Sequence, residues 1–171
     1  MNLREQLLKE NSKENALLIV NYIGNDEEKF AELVDLFLNT TYRVTQRAAW
    51  VMNLTAEKNI ELLFPYLEVL VDLLLTSKED AVTRNVVRLL QFVDLPEELL
   101  GKAFENCFNL VLNKDSAIAI KAFGIGVLYN ICIKEPDLKR EVIELIKMQL
   151  PGASSGLKNR CLNTLKKMEN L

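Results

Sequence analysis

The segment Leu33-Val34-Asp35-Leu36-Phe37-Leu38 recurs 37 positions later as Leu70-Val71-Asp72-Leu73-Leu74-Leu75, and the register carries on without a gap to Arg47 and Arg84. The same frame sets Leu110 and Leu112 beneath Leu73 and Leu75, and Lys121 beneath Arg84; a further step of 39 reaches Arg160. Within each unit apolar residues return at three- and four-residue steps, so a unit is two amphipathic helices and a turn. One such hairpin cannot bury its apolar faces alone and must stack on its neighbours. Composition agrees: leucine fills 31 of 171 positions against six glycines and four prolines, too few turn formers for an all-β chain.

Polar clusters interrupt the periodicity about every 15 to 20 residues. The pattern predicts nine or ten helices, over 2–10, 13–23, 26–38, 42–56, 60–75, 79–93, 97–113, 116–134, 138–150 and 155–169. Asp26 ahead of Glu27 and Glu28, Pro96 with Glu97 and Glu98, and Pro136 with Asp137 put proline and acids where a first turn accepts them. Pro65 falls inside the fifth span, where its missing N–H should bend the axis or split the helix after Phe64. Thr41, Asp115 and Ser154 stand where a side chain would cap a first turn.

Chemistry is constrained as strongly as shape. The chain has no histidine, which removes imidazole bases, histidine-assisted nucleophiles and histidine-ligated zinc together. Cys107, Cys132 and Cys161 are spaced unlike a metal knuckle or an even disulfide framework and read as reduced core thiols. There is no glycine-rich phosphate loop, paired-carboxylate signature or DxDxDG calcium loop. The chain is therefore read as a non-enzyme without metal or cofactor. Its first residues carry charge where a signal peptide has an apolar core. The most apolar stretch, Ile118 to Ile133, is interrupted by Lys121 and Asn130 and is shorter than the roughly 20 residues that cross a bilayer. These features point to the cytoplasm and away from the membrane.

Relative to the recurring basic residue, offsets −3, +1, +2, +5 and +8 define one helix face. In the first copy it holds Val44, Ala48, Ala49, Met52 and Thr55; in the third it holds Ile118, Ala122, Phe123, Gly126 and Tyr129. Across all four copies only Thr55 and Asn85 are clearly polar, so this face is expected to be core. The unit Asp115-Ser116-Ala117-Ile118-Ala119-Ile120-Lys121-Ala122, continuing to Gly124, Leu128 and Ile131, resembles the second helix of HEAT or armadillo-like repeats. Leu62-Leu63-Phe64-Pro65-Tyr66-Leu67 is similar to that family's proline-bent first helix. The resemblance implies an all-α, right-handed α-α superhelix, an α-solenoid of about four to five hairpins forming one domain over 1–171. It also implies a concave side lined by second helices and a protein partner rather than a substrate.

On that side the expected binding residues are Arg47, Trp50, Arg84, Arg88 and Lys121, because tryptophan and arginine dominate interfaces. The plainer alternatives are that the basic column pairs internally with a carboxylate or a helix C-terminal carbonyl, and that Trp50 fills a seam between hairpins. The eighth helix is apolar on nearly all sides. Gly124 and Gly126 would let another helix approach it closely, and any apolar surplus left uncovered would form a homodimer interface or a partner groove. Charge is uneven, with −2 over 1–60, −5 over 61–115 and +4 over 116–171. The pI near 5.2 disfavours sequence-independent nucleic-acid binding as the main role. The resembling fold also hosts glycosylases of alkylated DNA bases, which keeps DNA binding or base excision as the alternative reading.

Overall fold

A computed structural model describes all residues, Met1–Leu171. Its ten α-helices are α1 (Leu3–Lys9), α2 (Lys13–Ile23), α3 (Glu27–Leu38), α4 (Tyr42–Lys58), α5 (Leu67–Thr76), α6 (Asp80–Leu90), α7 (Glu97–Leu112), α8 (Ile118–Lys134), α9 (Lys139–Gln149) and α10 (Ser155–Met168). All ten expected helices form, nine with ends shifted by a few residues and the fifth shortened at its start.

Four starts are closed by a side chain that accepts the free N–H groups of the first turn. Asn2 accepts from Glu5, Ser12 from Asn15, Asp26 from both Glu28 and Lys29, and Ser154 from Leu157. Two expected caps do not form. Thr41 precedes α4 but its hydroxyl makes no cap bond. Asp115 lies ahead of α8 in an Asn113-centred turn, where its N–H goes to Asn113 Oδ1, and α8 starts only after Ala117. Pro65 splits the fifth expected helix. Residues Ile60–Tyr66 wind as a 3-10 segment, and α5 begins at Leu67, two residues later than anticipated.

The chain divides into two compact units, Met1–Leu67 and Glu68–Leu171. In the first, α4 packs on α1, α2 and α3 around Leu3, Leu7, Ile19, Phe30, Leu33 and Met52. In the second, α8 is central and packs on α6, α7 and α10, with α9 against α10. Asn106 on α7 donates from within the core to the Val71 carbonyl at 3.0 Å, and Lys102 pairs with Asp72. That ion pair raises the Lys102 pKa above its ordinary value. Gly124 sits where α7 presses closest: a β-carbon there would lie 2.9 Å from Val111 Cγ2.

The expected core face holds in α4, whose Val44, Ala48, Ala49, Met52 and Thr55 are all buried. In α8 it is reversed. Ile120, Ile125, Val127, Leu128 and Ile131 form the buried side, each stabilising by about 2 kcal/mol. Ala122, Phe123, Gly126 and Tyr129 are only half-buried, and Ile118 is exposed. The reason is that a helix apolar all round has no amphipathic period to fix its rotation; the seams with α6, α7 and α10 decide it instead.

Candidate binding surface

The recurring basic residues occupy one register in sequence and several environments in space. Arg47 is half-buried, and its Nη1 donates to the Leu7 carbonyl at 2.7 Å, at the C-terminal end of α1. There it meets Asn15, whose Nδ2 donates to the Gln6 and Glu10 carbonyls at 2.9 Å each. The Gln6 and Leu7 carbonyls of α1 and that of its C-cap Glu10 are thus held by two side chains, one of them a cation at the negative end of the helix dipole. Asn15, loosely in register with the basic column, does the work of a C-cap from the next helix. Trp50 lies one turn beyond Arg47, is half-buried, and shares a narrow cleft with Ser12, Asn15 and Ile19 of the first hairpin.

In the second unit Lys121 is turned inward. It is 9% exposed, and its Nζ lies 3.3 Å from Gln149 Oε1 at the end of α9. Arg84 is exposed and Arg88 half-buried, and both stand on one side of α6 with Gln91, at positions i, i+4 and i+7. Gln91 in turn packs across Gly126 of α8, and its carbonyl accepts from Asn130 Nδ2 at 2.7 Å. The last turn of α8 extends the grip, with Lys134 Nζ against Asp94 Oδ1 at 2.5 Å and the Leu95 carbonyl at 2.6 Å. Gln91 thus ties this side of α6 to α8, and Arg84 and Arg88 share that side of α6. On the opposite edge, Lys167 of α10 places its ammonium 5.7 Å from the Tyr129 ring centroid. Arg160 lies two turns earlier on that side of α10, half-buried.

Between these edges the open face of α8 bears no charge. Ala119, Ala122 and Tyr129, each half-buried, form its middle beside the Gln91-covered Gly126, and Ile118 and Ile133, 55% and 51% exposed, mark its ends. The importance of Gln91, Asn130 and Lys167 escaped sequence reasoning, which carried no signal for which side of α8 would be open. All three cysteines are free and buried; burial pushes the Cys107 thiol up to about 12 and Cys132 to about 11, and raises Cys161 as well. No helix is long and apolar enough to cross a membrane.

The chain matches the family model described as HEAT repeat domain over residues 3–168. No curated protein and no solved structure matches it.

Proposed function

The chain belongs to the HEAT repeat family, and on that premise we propose that it is a non-catalytic cytoplasmic scaffold that binds a protein partner along its second helices. HEAT repeats in general serve as helical scaffolds for protein interaction and are generally without catalytic activity. The observation that carries the reading is the uncharged face of α8, with Ile118 and Ile133 exposed at its ends and cations on the flanking helices α6 and α10. Apolar surface rimmed by polar groups is the usual mark of an interaction site. Arg84 and Arg88 are assigned to partner contact, and Trp50 to contact through the part of its indole that stays exposed. Arg47 and Lys121, whose cations serve Leu7 and Gln149, are assigned to holding the scaffold. The three buried thiols suit a reducing compartment. The matched span is proposed to act as one binding domain.

Affinity capture from the cell of origin tests this, using the wild type beside an Arg84→Glu, Ile133→Asp variant whose helicity is checked by circular dichroism. Proteins retained by the wild type and lost by the variant support the reading. Identical protein lists, or salt-sensitive quenching of Trp50 by duplex DNA, overturn it in favour of another surface or of nucleic acid.

A further inference from the structure

The second unit sorts its charges by helix. Its second helices α6, α8 and α10 carry eight lysines and arginines and a single carboxylate, Asp80 at the first position of α6. On α5 and α7 the balance is the opposite, with Glu68, Asp72, Glu97, Glu98 and Glu105 against the single Lys102, while α9 mixes Lys139, Arg140 and Lys147 with Glu141 and Glu144. Lys121 is buried and Lys134 is paired with Asp94, so the exposed positive charge of these helices is that of Arg84, Lys158, Lys166 and Lys167, in a chain of net charge −3. Between α6 and α10 the apolar strip of α8 is open. Ala119 and Ala122, half-buried, give the middle of the strip a low relief, while Gly126 lies under the Gln91 side chain. Gln91 borders it from α6, with Arg84 exposed two turns earlier on the same side of that helix, and Lys167 borders it from α10, its ammonium 5.7 Å from the Tyr129 ring centroid.

We infer that this strip docks an acidic amphipathic segment of the partner protein, with apolar side chains laid on α8 and carboxylates turned to α6 and α10. The inference rests on the protein-binding reading above and specifies its partner. An apolar floor favours a peptide over a nucleic-acid backbone, because phosphates offer nothing to bury against Ile118, Ala122 and Ile133. Cations on both flanking helices require negative charge on both flanks of the bound segment, and salt screens only that part of the affinity.

The test uses the full chain and fluorescence anisotropy with a labelled synthetic helix carrying leucines on one face and glutamates flanking them. The controls are the same composition scrambled, polyglutamate and duplex DNA. The amphipathic peptide is expected to bind, and Arg84→Glu with Lys167→Glu, or Ile133→Asp alone, to weaken it by about tenfold or more. Arg84→Gln with Lys167→Gln, which removes charge without reversing it, should weaken it less; all these positions are solvent-exposed, so the fold survives. Absence of binding, equal binding by the variants, or equal affinity for the scrambled peptide, polyglutamate or DNA overturns the inference. Such a failure while the wild type still captures a protein lost by the Arg84→Glu, Ile133→Asp variant refutes the acidic segment alone. Failure of both experiments refutes the protein-binding reading itself.

Discussion

Gln91 of α6 lies across Gly126 of α8, so close that a β-carbon on that glycine would stand 2.9 Å from Gln91 Oε1. Gly124, two residues earlier and so on the other side of the same helix, has an equally short approach, but to Val111 Cγ2 of the packed α7. The two contacts differ in what can yield. A glutamine carboxamide at a half-buried seam can swing aside, whereas a buried valine methyl cannot without disturbing the core. Alanine gains about 1 kcal/mol over glycine in a helix interior, and overpacking loses about 1–3 kcal/mol. Gly126→Ala should therefore raise the thermal midpoint or leave it unchanged, and Gly124→Ala should lower it. Thermal unfolding followed by circular dichroism gives the order directly.

The end of α1 depends on side chains from later in the chain. Asn15→Ala leaves the Gln6 and Glu10 carbonyls without their donor, and Arg47→Met does the same to Leu7. Each should lower the free energy of unfolding in urea by about 1–3 kcal/mol, the range for an unmet buried polar group or a lost charged hydrogen bond. A loss from Arg47→Met comparable with that from Arg84→Met would contradict the structural assignment of Arg47, because Arg84 is exposed.

The thiols impose an alkaline limit. Burial holds Cys107 protonated up to about 12 and Cys132 to about 11, while an unfolded thiol ionises near 8.5. With the folded pKa raised, the stabilising effect is whole below the unfolded value and declines as pH climbs through the interval up to the folded one. The difference in unfolding free energy between the wild type and Cys107→Ala should shrink above about pH 9, by about 1.4 kcal/mol per pH unit. Urea titrations at stepped pH measure it.

Asp26 sets a limit at the acid end. Its carboxylate accepts from the Glu28 and Lys29 N–H groups and pairs with Lys29 Nζ at 2.8 Å. The Lys29 side chain, together with those backbone bonds, holds the Asp26 pKa below its ordinary value. A lowered folded pKa means stability present above the unfolded value and lost as pH falls through the folded one. Asp26→Asn keeps an acceptor at the cap and should remove this residue's share of the pH dependence while retaining most of the stability at neutral pH; Asp26→Ala should lose both the share and the cap. Acid titration of the three proteins distinguishes these outcomes.

What could be read from the residues, and what could not, divides on physical grounds. Helix positions were legible because three- and four-residue periodicity and caps such as Asp26 and Ser154 are local. The 37-residue frame was legible because Leu33 to Leu38 and Leu70 to Leu75 repeat in register. Rotation about each helix axis was legible only where one face is polar, as in α4, and failed in α8, where Ile118 and Ile120 look alike in sequence and differ in burial. Partners of single side chains were not legible either. Arg47 and Arg84 share a column, yet one reaches the Leu7 carbonyl and the other faces solvent, because the neighbouring helix ends differ.

Ile131 and Ile133 lie two positions apart on α8, one 2% and the other 51% exposed, and the account depends on that difference. Ile133→Cys and Ile131→Cys, each treated under native conditions with a thiol reagent, measure it against a silent background, since Cys107, Cys132 and Cys161 are buried. The thiol at 133 should react as an exposed thiol does, and the thiol at 131 only as slowly as the three native ones. Equal protection of both, or equal reactivity, would show that α8 does not turn an open apolar face outward, and the proposed binding surface would not exist.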